Sequence, residues 1–149
     1  MDIQIKNLRT MESLSEETLC YSATVYVDGV RAFTASNRGH GGCDDYRHVS
    51  EVGKGLLEQA EKYAKALPPK LSDKYPPLEY DLELLIGDLI SDKLEEKQLK
   101  SWCRNKIVIK KNDAPKGSYV TISQKFQTSF VPKLNERYPN SEIVNLRFA

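Results

Sequence analysis

The sequence is poor in the residues from which function is most readily read. Among 149 residues there are one Trp, two His and three Cys. Cys20, Cys43 and Cys103 are odd in number and widely spaced, which excludes the disulfide framework of a small secreted domain, so reduced thiols are expected. No apolar run approaches the roughly 18 to 20 residues needed to cross a bilayer. The opening "MDIQIKNLRTMESLSEE" has neither a basic leader nor an apolar signal core. A cytoplasmic protein without membrane attachment is therefore expected. No Gly-Lys-Ser/Thr follows the glycine-rich stretch and no G-x-G-x-x-G is present, so the Walker and dinucleotide-binding fingerprints are excluded. No catalytic signature names a reaction. Internal repeats and low-complexity tracts are also missing, and the length suits one α+β domain over residues 1–149, able to bury about two-thirds of its unfolded surface.

What is present begins with a charge asymmetry. The formal net charge is +1, yet residues 97–149 carry 11 Lys and Arg against 3 Asp and Glu, while residues 1–96 carry 11 against 18. Either the two parts neutralise one another or the last third presents a basic face.

Periodicity supplies the elements. "DIQIKNL" alternates Ile3 and Ile5 with polar neighbours, as a strand does. A polar connection, "RTMESLSEET", follows. "LCYSATVYVDGVRAFTAS" gives two strands joined by Asp28-Gly29, the dipeptide of a tight hairpin, with Tyr21, Ala23, Val25 and Val27 on the core side. Val49, Val52, Leu56, Ala60, Tyr63, Ala64 and Leu67 recur at helical spacing and predict a helix over residues 50–66. Pro68, Pro69, Pro76 and Pro77 end it. Leu82, Leu85, Ile86, Leu89 and Ile90 mark a second helix over residues 78–102. "KIVIKKN" and "GSYVTISQKF" read as strands, "TSFVPKLNERYPN" as a short helix with Pro132 in its first turn, and "EIVNLRF" as a final strand. The order βββααββαβ predicts an α+β fold, a mostly antiparallel sheet with helices packed on one face.

Chemistry concentrates in "ASNRGHGGCDDYRHVSE", residues 35–51, which holds both histidines, Cys43 and three glycines. Lying between a strand and a helix, it admits four readings. Gly39, Gly41 and Gly42 allow backbone N–H groups to approach an anion near a helix N-terminus, with Arg38, His40 and Arg47 as cationic partners. Alternatively the glycines only permit a sharp turn, and Asp44 and Asp45 cap the helix. His40, Cys43 and His48 are ligand types suited to zinc, although H-x2-C-x4-H matches no standard finger. Lastly, Cys43 beside His40 has the composition of a thiolate nucleophile pair.

Elsewhere, Lys106, Lys110, Lys111 and Lys116, with Tyr119, Lys125 and Phe126, place cations and aromatics on adjoining strands, as a nucleic-acid surface or as a solvated edge. Trp102 and Cys103 read as core anchors, and Glu95 and Glu96 as a solvent-facing helix tail.

"IKNLRT", the "SEET" stretch, "ATVYVDGVRAFTASNRGHGGC" and the closing "LNERYPNSEIVNL" together resemble a group of small bacterial and phage or prophage proteins with a V-D-G hairpin and an N-x-G-H-G-G loop. Arg38 stands where that group has Asp. The resemblance implies a phage-type accessory protein that occupies a host protein or sequesters a small nucleotide signal, commonly against host defence, and implies no catalytic residues. The leading expectation is a non-enzymatic binding protein using Arg38, Gly39, His40, Gly41, Gly42 and Arg47 for an anionic ligand or a host protein. A small Cys/His- or zinc-dependent enzyme acting on a nucleotide or phosphoester comes next, and a nucleic-acid binder using the basic third comes last.

Overall fold

The computed structural model describes residues 1–149, which divide into two compact units, Met1–Ile90 and Ser91–Ala149. The fold is α+β and every strand pairing is antiparallel. The strands separate into two sheets, however, where one was expected.

In the first unit β1 (Ile3–Thr10), β2 (Tyr21–Val27), β3 (Val30–Asn37) and β4 (Asp45–His48) form a sheet in sequence order. Asp28 and Gly29 both have positive φ, 50° and 82°, as the hairpin's type I′ geometry demands. Tyr21, Ala23, Val25 and Val27 are all buried, as their alternation predicts. Ile5 faces Val25 and Phe33 faces it from the other side, so the centre of the sheet is apolar across three strands. β4 is the element that was not expected. Its sequence, DYRH, contributes only half-buried Tyr46 to the interior, whose ring meets Phe33 edge-on at 5.8 Å.

Helix α1 (Glu51–Lys65) is capped by Ser50, whose hydroxyl accepts from the Gly53 N–H at 3.0 Å. Its buried positions are Gly53, Ala60 and Ala64, whereas Val52 is 65% exposed. The stripe is therefore rotated from the one that valine spacing suggests. A Cβ at Gly53 would collide with the Ala32 carbonyl oxygen, so the absent side chain is what lets the first turn of α1 rest on β3.

Residues 66–80 form a proline-rich excursion closed at its base by a pair of backbone hydrogen bonds. Lys70 N donates to Leu78 O at 2.8 Å and Leu78 N to Lys70 O at 3.0 Å. Lys70 Nζ also pairs with Asp88 at 2.7 Å. This bridge delays helix α2 (Leu82–Trp102) past the expected start, and Asp81 Oδ1 accepts from Leu84 N at 2.8 Å as its N-terminal cap. Leu82, Ile86 and Ile90 are buried at four-residue steps. The division between the units falls within α2.

In the second unit the sheet order is β6 (Val120–Ile122), β5 (Ile107–Lys111), β7 (Ser141–Ile143). β5 is buried on both faces, which explains its continuous apolar run. Ile107 and Ile109 join Leu134 and Ile143 in one cluster, with Phe126 packed against it, and Val108 joins Leu99 and Val144 in another, with Trp102 and Cys103 packed against it. Helix α3 (Val131–Arg137) carries Leu134 and has Pro132 in its first turn. The predicted last strand stops after three residues and continues as a 3-10 turn, Val144–Phe148. There the buried Asn145 side chain takes over from the backbone, accepting from Val108 N and donating to Lys106 O, both at 2.8 Å.

Candidate functional site

The glycine-rich loop runs from the end of β3 to the start of β4, and its shape is set by Asn37. This side chain is 9% exposed, and its bonds tie the loop to itself and to Thr18 in the stretch before β2. Oδ1 accepts from Gly39 N at 2.8 Å, an Asx turn, and from Thr18 Oγ1 at 2.7 Å. Nδ2 donates to Gly42 O at 3.0 Å and to Asp44 Oδ1 at 3.1 Å. Thr18 Oγ1 in turn accepts from Gly41 N at 3.2 Å, and Gly39 O accepts from the N–H groups of Glu16 and Glu17.

Gly39 and Gly41 both have φ of 87°, and a Cβ on either would strike residues before β2: Leu14 O at 2.5 Å for Gly39, and the Glu17 carboxylate for Gly41. Those two glycines serve close packing of the loop against the stretch before β2. Their N–H groups are already spent on Asn37 and Thr18. Gly42 has nothing within 4 Å of its Cβ position and faces open space.

The Asn37 framework turns the intervening side chains outward. Arg38, His40, Gly42 and Cys43, with Ser36 and Asp45, line a cavity of about 310 Å³. The outer side thus carries the Arg38 guanidinium and the His40 ring, and His40 Nδ1 lies 3.2 Å from Glu16 Oε2. The inner side is acidic. Asp44 Oδ2 accepts from the Tyr46 hydroxyl at 3.0 Å, and Asp44 N donates to Glu83 Oε1 at 3.3 Å. The Tyr21 hydroxyl is buried nearby, beside Asp44 but without a well-formed hydrogen bond. Burial above all, and then the hydrogen-bonding carboxylate of Asp44 and its negative charge, with Glu83 adding to it, hold both Tyr21 and Tyr46 in the neutral form far above the ordinary tyrosine range.

Of the residues expected to bind a ligand, the fold brings Arg38, His40 and Gly42 around one cavity. Gly39 and Gly41 face inward instead, and Arg47 lies on β4 with its Nε 3.0 Å from Asp45 Oδ2. The zinc set is not assembled: His48 sits on β4 opposite Phe33, and no group of three or more His, Cys, Asp or Glu stands close enough to hold a metal ion. An extended strand advances about 3.3 Å per residue, which carries His48 away from Cys43. The helix-dipole contribution is likewise corrected, because β4 separates the loop from the N-terminus of α1. Asp44 and Asp45 do not cap that helix; Ser50 does.

Asn37 and Thr18 are the residues whose roles were not foreseen. The Asn37-Arg38-Gly39 order carries the Asx-turn signal, whereas nothing local marks Thr18, 19 residues upstream of its partner. Comparison with protein-family models, with curated proteins and with solved structures returns no match.

Proposed function

We propose that this is a non-enzymatic binding protein whose loop between β3 and β4 seats the anionic group of a small ligand. The observation that carries this reading is the framework of Asn37 bonds. It fixes the loop before any ligand arrives while directing Arg38 and His40 at one open cavity. A loop already ordered loses little conformational entropy on binding, and a cavity of about 310 Å³ is at the small end of the range for ligand sites. Arg38 supplies the planar donor fork suited to phosphate or carboxylate, and His40 adds a second donor. The setting implied by the resemblance, a phage-type accessory protein acting against host defence, is part of the same proposal.

Native mass spectrometry of gently purified protein, followed by thermal shift against a panel of nucleotides, tests it. A ligand at about 100 times its Kd stabilises the folded protein by about 2.7 kcal/mol. The shift should vanish in Arg38→Ala, and Gly42→Trp should fill the cavity without disturbing the fold. No retained mass and no nucleotide-dependent shift would move the loop's role to a protein partner, to be sought by capture from host lysate with Gly42→Trp as the negative control.

A further inference from the structure

A second surface lies in the Ser91–Ala149 unit, which carries 12 Lys and Arg against 6 Asp and Glu. Two adjoining cavities of about 700 and 520 Å³ share Lys111, Asn112, Asn140 and Ser141 in their walls. They form one groove between the turn that follows β5 and the start of β7. The strand register explains the convergence, since Lys111 pairs with Ser141 and Lys110 with Glu142 at the last rungs of the β5–β7 ladder. Lys110 and Lys116 line the larger cavity, and Arg137 with Tyr138 lines the smaller.

The charges do not cancel locally. Glu142 is engaged by Arg147 at 3.0 Å, and Lys116 by Asp92 at 3.2 Å. Lys110, Lys111 and Arg137 have no carboxylate partner, and of the groove's two carboxylates only Asp113 has no cation. In place of carboxylates, Lys111 Nζ and Arg137 Cζ stand over the Tyr138 ring, 6.0 and 5.5 Å from its centroid. Cations resting on an aromatic ring are held weakly enough to be drawn off by a phosphate, which bares a face for stacking.

We propose that this groove binds single-stranded nucleic acid, with Lys110, Lys111 and Arg137 pairing with phosphates and Tyr138 stacking on a base. Cationic grooves beside an aromatic platform track single strands because every base offers a π-face, whereas a paired duplex hides its bases. The asparagines and Ser141 add neutral hydrogen-bonding groups along the same wall. This site is independent of the loop in the first unit, and either can fail alone.

Fluorescence anisotropy of a labelled oligothymidylate of about 15 nucleotides, against a duplex of equal length, tests the proposal. Three phosphate contacts predict a log–log salt slope of about −2, which is about 20-fold weaker binding at 200 mM than at 50 mM salt. The triple variant Lys110→Gln/Lys111→Gln/Arg137→Gln should lose that binding and flatten the slope. A charge-matched control on α2, Lys93→Gln/Lys97→Gln/Lys100→Gln, should retain it. Tyr138→Leu should weaken binding by about 5-fold or more and Tyr138→Phe should restore it, with circular dichroism confirming that both are folded. No binding at 50 mM salt, equal loss in the control, or a duplex bound as tightly as the single strand would each overturn the assignment.

Discussion

Asn37→Asp exchanges one nearly isosteric side chain for another, yet it should be among the more damaging changes in the first unit. The Asn37 amide donates to Gly42 O at 3.0 Å and to Asp44 Oδ1 at 3.1 Å, and a carboxylate can do neither. Loss of the neutral bond costs about 1 kcal/mol and loss of the bond to a charged acceptor about 1.5 to 3. Two carboxylates so close would repel by roughly 5 kcal/mol at an effective dielectric constant of about 20, and the pair avoids this by keeping one proton. The expected deficit is about 3 to 4 kcal/mol at pH 7. Its sign with pH follows from that proton. The new carboxyl is raised in the folded state, so the folded chain binds more protons than the unfolded one, and the deficit shrinks as pH falls towards about 4. Asn37→Ala lacks the added charge but also gives up the bonds from Gly39 N and Thr18 Oγ1, and should lose at least about 3 kcal/mol with little pH dependence. Urea unfolding followed by circular dichroism at pH 7 and near pH 4.5 measures both, and amide exchange at Gly39 and Gly41 reports the loop directly. A variant within about 0.5 kcal/mol of the parent at pH 7, against a bond loss of about 1 to 3, would refute the role given to Asn37.

Tyr21→Phe removes a buried hydroxyl that makes no well-formed hydrogen bond and should leave the melting temperature unchanged or raise it, whereas Tyr46→Phe gives up a bond to a carboxylate and should cost about 1.5 to 3 kcal/mol. The reverse order in thermal melts would contradict the assigned hydrogen bonds. Because folding raises both tyrosines, the stability linked to them is complete below about pH 10 and is lost above it at up to about 1.4 kcal/mol per pH unit for each. In melts between pH 9 and 11 the gap between the parent and the double phenylalanine variant should therefore stay constant up to about pH 10 and close above it, because only the parent carries the tyrosines. Asn145→Leu leaves Val108 N and Lys106 O without partners and should lower unfolding free energy by about 2 to 4 kcal/mol in urea; a loss under about 1 kcal/mol would show that the backbone finds other partners.

The hairpin was the most legible element, because Asp28-Gly29 and the alternation around it depend only on neighbours in sequence. The helices were legible in extent and less so in facing. On α1 the valines suggested one stripe, but Gly53 decided the contact, and a glycine has no hydropathy with which to announce itself. β4 was hidden because DYRH offers a single inward side chain and is held by pairing with β3, which is not local information. The same pairing explains why the loop was read as adjoining a helix N-terminus and His48 as a neighbour of Cys43. The partition into two sheets was equally out of reach, since strand order is not written in periodicity. The unusual composition of residues 38–43 was visible, but its support was not, because Thr18 and Glu17 come from a polar stretch with no pattern of its own.

The bridged excursion at residues 70–78 marks where the chain can be rewritten at low cost. Its base is sealed by two backbone bonds, and Leu71 and Tyr75 are largely exposed. Lengthening a closed surface loop costs only about 0.6 kcal/mol for each doubling, and exposed loop tips are where insertions and new chain ends are best tolerated. An epitope or a fluorophore-bearing peptide placed between Ser72 and Asp73 would therefore leave both proposed binding surfaces in their native connectivity.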